Sequence, residues 1–265
     1  VAVIEVGMGG RLDGTNLINP ELSIITNIGR DHMQFLGNSL EAIAGEKAGI
    51  IKRKTPVVIG LTQVETQSVF IKKAQEMEAE FFFADQIDET GFTSDLKGNY
   101  QQQNIHTSVV GLSQLKSFKL DLEIIKEGLM NVIYNTGIQG RWQTLNYKPR
   151  VVVDVAHNIE GLQFIVPQIE SHAYGQLHLV LGFVKDKEID KILSLFPSDA
   201  RYYLCAPEIP RALPIEDLVD VAEGLRLDYQ FFPSVTAAFM TAKDQARPDD
   251  FIYGGGSTFV VAEIL

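Results

Sequence analysis

Three stretches in the first half of the chain set oxygen and nitrogen donors beside glycines, a pairing suited to phosphates and a hard cation. The first is Glu5, followed by Gly7-Met8-Gly9-Gly10-Arg11-Leu12-Asp13-Gly14-Thr15-Asn16. Read as the exit of a strand over 1–6, Glu5 suits Mg²⁺, which prefers oxygen ligands and shares them with phosphates. The glycines allow tight turns and close backbone approach. The competing account is an ordinary glycine-rich strand exit with a solvated acid. Gly7-x-Gly9-x-x-Leu12 is not a dinucleotide fingerprint, because the third small residue is missing. The second stretch is Thr26-Asn27-Ile28-Gly29-Arg30-Asp31-His32. His32 is either a metal ligand or, as lone histidines more often are, a structural hydrogen-bonding residue. The third centres on Lys47, set in small and apolar residues from Ala42 to Ile51. A lysine there must pair, snorkel or change its charge state, and pairing with Glu46 or the preceding acids is the simplest account.

The second half carries two further candidates. Asp154 stands near the end of an apolar run and continues into Ala156-His157-Asn158. Acidic and polar groups at such an exit are suited to a ribose or phosphate contact. Gly254-Gly255-Gly256-Ser257-Thr258 follows the last apolar run and opens the last helix; it reads either as an anion-binding helix start or as a purely conformational corner. No Gly-x-x-x-x-Gly-Lys-Ser/Thr phosphate loop occurs anywhere in the chain.

Positioning these groups requires a parallel sheet, because ligands of open parallel sheets bind outside the carboxyl ends of the strands. Short apolar runs alternate with helical patterns nearly throughout. Strands are expected at 1–6, 22–28, 56–59 and 80–83, and helices at 39–51 (with Ser39 as N-cap), 63–78, 104–116 and 121–135. Residues 88–103 read as loop or short strands. Two glycines in Thr136-Gly137-Ile138-Gln139-Gly140 then reset the pattern. Strands follow at 151–155, 177–182, 202–206, 229–232 and 251–253, with helices at 160–171, 187–195, 214–225, 235–246 and 258–264. The expected fold is α/β, two domains with a hinge near 137–140.

Composition narrows the partners. With 23 Lys and Arg against 34 Asp and Glu, the net charge is −11, which repels nucleic acid and anionic lipid at long range. Cys205 is the only cysteine, so no intramolecular disulfide and no cysteine-based zinc site can form, and a reducing cytoplasm fits best. No apolar run approaches the ~18–20 residues that span a bilayer. The opening Val1-Ala2-Val3-Ile4 has no Met and no charged leader, and is expected to begin in mid-fold, the chain being the C-terminal part of something longer.

Seven segments, in order, resemble the folylpolyglutamate synthase/dihydrofolate synthase family of the Mur ligase superfamily. They are Glu5 to Asn16, Gly29 to His32, Glu46-Lys47-Ala48-Gly49-Ile50-Ile51-Lys52, Tyr100-Gln101-Gln102-Gln103-Asn104, Gly140-Arg141-Trp142, Asp154 to Asn158, and Gly256-Ser257. The resemblance implies an incomplete P-loop-type central domain over 1–139, then a doubly wound, Rossmann-like ligase domain over 140–265. It implies a cytoplasmic, monomeric, ATP-dependent amide ligase of folate biosynthesis, with no nucleic-acid or membrane partner. Such an enzyme phosphorylates a folate or dihydropteroate carboxylate, and the amine of L-glutamate then displaces the phosphate. Glu5 and His32 then stand as Mg²⁺ ligands. Lys47 stands as a carbamylated lysine whose new carboxylate helps hold a second Mg²⁺. Asn104, Arg141 and Asp154 become nucleotide contacts, with His157 in the same cleft, and Lys47, Asp154 and His157 the catalytic set.

Two departures qualify this. The family's Asp-Gly-Ala-His-Asn reads Asp154-Val155-Ala156-His157-Asn158, and the family's upstream P-loop is absent, so the 265 residues alone are expected to be inactive. A Mur-type cell-wall peptide ligase and a degenerate, non-catalytic nucleotide-binding homologue are the alternatives. The glycine-rich and Glu46-to-Ile51 segments favour the folate branch over the first. Joint retention of Glu5, His32, Lys47 and Asp154 argues against the second.

Overall fold

Parallel strands with covered faces read as unbroken apolar runs, as Val57–Ile59 and Phe251–Gly255, buried at every position, do here. The structure, a computed structural model, describes residues 1–88, 91–185 and 188–265. It divides into two compact units: residues 1–95 with 101–131, and residues 96–100 with 132–265.

In the first unit β1 (Ser23–Ile25), β2 (Val57–Ile59) and β3 (Phe81–Phe83) form a parallel sheet in that order, with Ser23 opposite Val57 and Val57 opposite Phe81. Its helices are α1 (Met33–Leu36), α2 (Leu40–Lys47), α3 (Gln67–Glu76), α4 (Gln101–Ser113) and α5 (Leu122–Met130). Ser39 caps α2, its hydroxyl accepting from the Ala42 N–H, and Asp121 caps α5 through the Ile124 N–H. Ile43, Ile51, Val57, Ile59 and Phe70 form the core between α2, α3 and the sheet.

In the second unit the chain runs α6 (Val132–Thr136), β4 (Gln143–Tyr147), β5 (Arg150–Val153), α7 (Ile159–Glu170), β6 (Leu177–Leu181), α8 (Ile189–Leu193) and β7 (Arg201–Cys205). It continues through α9 (Ile215–Gly224), β8 (Asp228–Phe232), α10 (Val235–Gln245), β9 (Phe251–Gly255) and α11 (Thr258–Ile264). The sheet order is β4-β5-β9-β6-β7-β8, parallel except for β4, which pairs antiparallel with β5. Alternate residues feed opposite faces. Val152, Leu179 and Tyr202 join the core shared with α7, α8 and α9, while Val151, Val180 and Tyr203 join the one shared with α10 and α11.

Four readings differ from what is observed, one being that the single helix expected over 121–135 is two, α5 and α6, with Asn131 between them. Residues 1–6 form no strand; Val1 and Val3 are almost fully exposed, and β1 pairs with β2 alone. A strand is held by hydrogen bonds to a neighbour, which apolar character by itself does not supply. Glu5 therefore does not sit at a strand exit. The polar, exposed β4 carries no apolar alternation and went unread. The helix expected from 104 begins three residues earlier, at Gln101. Of the helix expected over 187–195, Lys187 lies outside the described residues, as do 89 and 90 of the expected loop.

At the amino-terminal edge of the larger sheet, fully buried His178 sits with Nδ1 2.9 Å from the Tyr203 hydroxyl and Nε2 3.3 Å from Asp250 Oδ2. Asp250 also accepts the N–H groups of Gln176 and Arg247. Burial lowers the His178 pKa from its ordinary 6.5, outweighing the pull of Asp250, and the Arg201 charge adds to the lowering. The fold thus favours neutral His178, so its contribution is fully present above the unfolded-state value and is lost as pH falls through the folded-state value. Between about pH 7.5 and 5.5 the unfolding free energy read from urea titrations is expected to fall, by at most about 1.4 kcal/mol per pH unit from this group. His178→Gln should flatten that slope; an unchanged slope would assign it elsewhere.

Candidate functional site

In the first unit the glycine-rich segment lies against the C-terminal end of α2. The Arg11 N–H donates to the Glu46 carbonyl at 2.8 Å. The Arg11 guanidinium grips the Glu46 carboxylate, with Nη2 2.9 Å from Oε1 and Nε 3.1 and 3.2 Å from the two oxygens. Asn16 Nδ2 donates to the carbonyls of Arg11 and Gly49, and Lys52 Nζ donates to the Asn16 carbonyl at 2.7 Å. A Cβ on Gly49 would lie 2.4 Å from Arg11 Cα, so only glycine admits this approach. Asp13 turns the loop by accepting the Thr15 hydroxyl and N–H and the Met8 N–H. These bonds, the Thr15 hydroxyl foremost, hold its carboxyl down at about 2.

The simplest account of Lys47, pairing with Glu46 or the preceding acids, is not what is observed. Glu46 is engaged by Arg11, because residues adjacent on a helix do not face one another. Half-buried Lys47 makes no hydrogen bond or ion pair among the described residues. Glu5 is exposed in irregular chain ahead of the glycines. His32 is exposed at the start of α1, in the left-handed region at φ 54°, with its own N–H on Asp31 Oδ1. Among the described residues no three His, Cys, Asp or Glu side chains are grouped to hold a metal ion. One carboxylate and one imidazole fit only a cation that takes most of its shell from phosphate and water, which is the habit of Mg²⁺. Asn104 is exposed on the first turn of α4, with Nδ2 donating to Gln101 Oε1 at 3.0 Å.

In the second unit Asp154 follows β5 directly, at the carboxyl edge of the sheet, but its side chain is only 1% exposed. Its Oδ2 accepts the Tyr100 hydroxyl at 2.8 Å and the Trp142 N–H at 2.6 Å, and its Oδ1 accepts the Ala156 N–H at 2.8 Å. Burial raises its pKa; the Ala156, Tyr100 and Trp142 hydrogen bonds and the Arg141 charge oppose that rise. Asp154 is thus a buried organiser of the chain around it, and it does not present a carboxylate to solvent.

The Gly140-Arg141-Trp142 turn is pinned on both sides. The Val155 N–H donates to the Gly140 carbonyl at 3.0 Å, and the Gly140 N–H donates to Gln143 Oε1 at 2.8 Å. Gly140 has φ 69°, and a Cβ there would meet Val155 and Val261 within 2.9 Å. Buried Trp142, at φ 46°, is held in the left-handed region despite its side chain. Arg141 between them is half-buried. His157 is half-buried, its Nδ1 3.0 Å from the Val155 carbonyl, and Asn158 caps α7 through the Gly161 N–H. Ser257 caps α11 through the Val260 N–H.

The sequence reading gave no role to Tyr100 or Gln168. Gln168 Oε1 accepts the Asn99 N–H at 2.7 Å and its Nε2 donates to the Lys97 carbonyl at 2.9 Å, docking residues 96–100 on the second unit. Tyr100 opens the Tyr100-Gln101-Gln102-Gln103-Asn104 segment, but nothing local marks its partner 54 residues away. Gln168 carried no signal at all.

Two family descriptions match consecutively: Mur ligase middle domain over residues 1–141, and Mur ligase, glutamate ligase domain over 140–258. The chain is 28% identical to the dihydrofolate synthase/folylpolyglutamate synthase of Bacillus subtilis, over 99% of this chain and 66% of that protein. Escherichia coli FolC in complex with DHPP and ADP superposes with a TM-score of 0.84 at 27% identity, over 98% of this chain and 64% of that one. The bifunctional Yersinia pestis folylpolyglutamate synthase/dihydrofolate synthase complexed with AMPPNP and Mn gives a TM-score of 0.83 at 26% identity, over 98% and 64%. The chain spans slightly less than two thirds of the length of these relatives.

The close approach of Gly49 to Arg11 generates a direct test. Gly49→Ala is expected to destabilise the protein by roughly 1–3 kcal/mol, since a methyl forced into a packed contact displaces backbone. Gly14→Ala, where a Cβ meets open space, is the matched control and should be near neutral in the same thermal or urea unfolding experiment.

Proposed function

Because the chain belongs to the folylpolyglutamate synthase/dihydrofolate synthase family of the Mur ligase superfamily, we propose that it forms the C-terminal part of an ATP-dependent ligase joining L-glutamate to a folate or to dihydropteroate. The observation that carries this reading is the consecutive match of both Mur ligase domains along one chain. In the proposed division, residues 1–139 belong to the ATPase domain and 140–265 to the glutamate ligase domain. The γ-phosphoryl group of ATP passes to the substrate carboxylate, giving an acyl phosphate. The glutamate amine attacks the acyl carbon, and the tetrahedral adduct expels phosphate as the amide forms. The protein acts as a cytoplasmic monomer.

The residue roles are part of the proposal. Asn104 and Arg141 contact the nucleotide, with Arg141 suited to phosphate because its guanidinium stays charged and offers a fixed fork of donors. His157, half-buried one residue before the α7 cap with its Nδ1 on a backbone carbonyl, is assigned to the catalytic set with Asp154 and Lys47. Asp154 supports the site from beneath. Glu5 and His32 would hold Mg²⁺ together with the phosphates, and Lys47 would add an oxygen ligand once carbamylated. When bound, the metal neutralises phosphate charge. That the Lys47 side chain has no hydrogen bond or ion pair among the described residues supports its being the modified group.

Full-length protein should release phosphate in step with amide formation when given ATP, Mg²⁺, glutamate and either dihydropteroate or tetrahydrofolate. ATP hydrolysis without amide product would overturn the reading. Arg141→Ala should raise the KM for ATP by about 10–100-fold, the size expected for a lost charged hydrogen bond to phosphate.

The 265 residues hold no phosphate loop, and phosphoryl transfer depends mainly on positioning and neutralising phosphate. Assayed alone they should bind nucleotide weakly and show no turnover. A rate above a few per cent of the full-length protein's would mean that the phosphates are held by other groups.

A further inference from the structure

We propose that Gln143 is a positioning residue for Arg141: its side-chain amide closes the turn that carries the guanidinium. Its role rests on the reading above that Arg141 contacts the nucleotide, and all the residues involved belong to the second unit.

Arg141 is the second residue of a four-residue turn, Gly140 to Gln143, in which the last side chain bonds back to the first residue. Gln143 Oε1 accepts the Gly140 N–H at 2.8 Å. The Gly140 carbonyl accepts the Val155 N–H at 3.0 Å, and the Trp142 N–H donates to Asp154 Oδ2 at 2.6 Å. Both neighbours of Arg141 are thus tied down through their peptide groups. Both also lie in the left-handed region, Gly140 at φ 69° and Trp142 at φ 46°. That region disfavours a residue with a side chain, so a turn of this shape persists only while its surroundings over-determine it.

The three bonds differ in what else depends on them. The Val155 bond runs from main chain to main chain. The Trp142 bond ends on the buried carboxylate that also takes Tyr100 and Ala156. The Gln143 bond is made by a neutral, half-buried side chain whose own backbone is held separately, opposite Val153 in the β4–β5 pairing. Gly140 is buried, and without Gln143 its N–H loses its acceptor. A buried N–H is costly to leave unsatisfied, so the turn shifts toward another acceptor. Val155 and Val261 back the turn closely, within 2.9 Å of where a Gly140 Cβ would lie, so the shift is away from them and carries Arg141 with it. A displacement of well under 1 Å at a charged fork is felt in affinity.

Gln143→Met keeps the bulk of the side chain and removes the acceptor. In the full-length protein it should raise the Kd for ADP and the KM for ATP about three- to tenfold, the size of one neutral hydrogen bond. The kcat at saturating ATP and the KM for the folate substrate should stay within about twofold, because only the Arg141 contact is disturbed. In an Arg141→Ala background, Gln143→Met should change ADP affinity by less than about twofold, since it acts through a side chain already removed. A lower thermal midpoint with ADP affinity unchanged would make Gln143 merely structural and overturn the proposal. So would a full loss of affinity on adding Gln143→Met to Arg141→Ala. Should Gln143→Met fail to fold, Gln143→Asn, whose amide is too short to reach Gly140, decides by the same measurements. Arg141→Ala separates the two levels. If it leaves ADP binding unchanged, the nucleotide reading itself fails; if it weakens ADP and Gln143→Met does not, only the role of Gln143 fails.

Discussion

The second unit depends on a carboxylate kept out of water. A buried charge is tolerated only when its oxygens are well supplied with donors, and Asp154 meets that condition with a phenol and two backbone N–H groups. The requirement runs both ways. The donors come from residues 100, 142 and 156, so satisfying the carboxylate brings three separate parts of the chain to one place. The unusual backbone of Trp142 follows from the same constraint, because its N–H reaches Oδ2 while its indole stays in the core, edge-on to Phe251. Arg141 lies between fixed neighbours as a result, and its own charge helps keep Asp154 ionised.

The first unit reaches a comparable result by steric closeness. Gly49 lets the backbone of Arg11 pass where a side chain would block it, and Arg11 then occupies Glu46. The glycine-rich segment and the C-terminal end of α2 thereby become one packed object. Lys47, next along the helix, has no acidic partner among the described residues, which is the condition under which a lysine can take on other chemistry.

Much of the architecture was legible because strands buried on both faces have few alternatives. Residues 177–181 and 251–255 are buried at every position, and their apolar runs are visible in the sequence. The Ser39 cap was equally readable, since capping chemistry is local. Residues 1–6 show the limit: an apolar run signals a strand, yet pairing belongs to a neighbour that the run does not encode. β4 shows the converse, a polar edge strand that exists through its pairing with β5. At the site, the position of Asp154 at a strand exit could be read, whereas its burial could not. Its donors come from as far as 54 residues away, and a single sequence does not display contacts at that distance. The engagement of Glu46 by Arg11, 35 residues off, was hidden for the same reason.

The second unit is not continuous in the chain: residues 96–100 belong to it, and 101–131 then return to the first unit before the remainder follows. A gene cut made at the apparent joint between the domains would thus leave part of one behind in the other. A module taken from residue 132 onward would carry Asp154 without its phenolic donor and Gln168 with both polar ends of its amide unmatched. Exchange of ligase domains among relatives, by recombination or in the laboratory, therefore has to move two non-adjacent pieces together or remake the seam. That ties the inheritance of the two halves to each other more tightly than a single linker would.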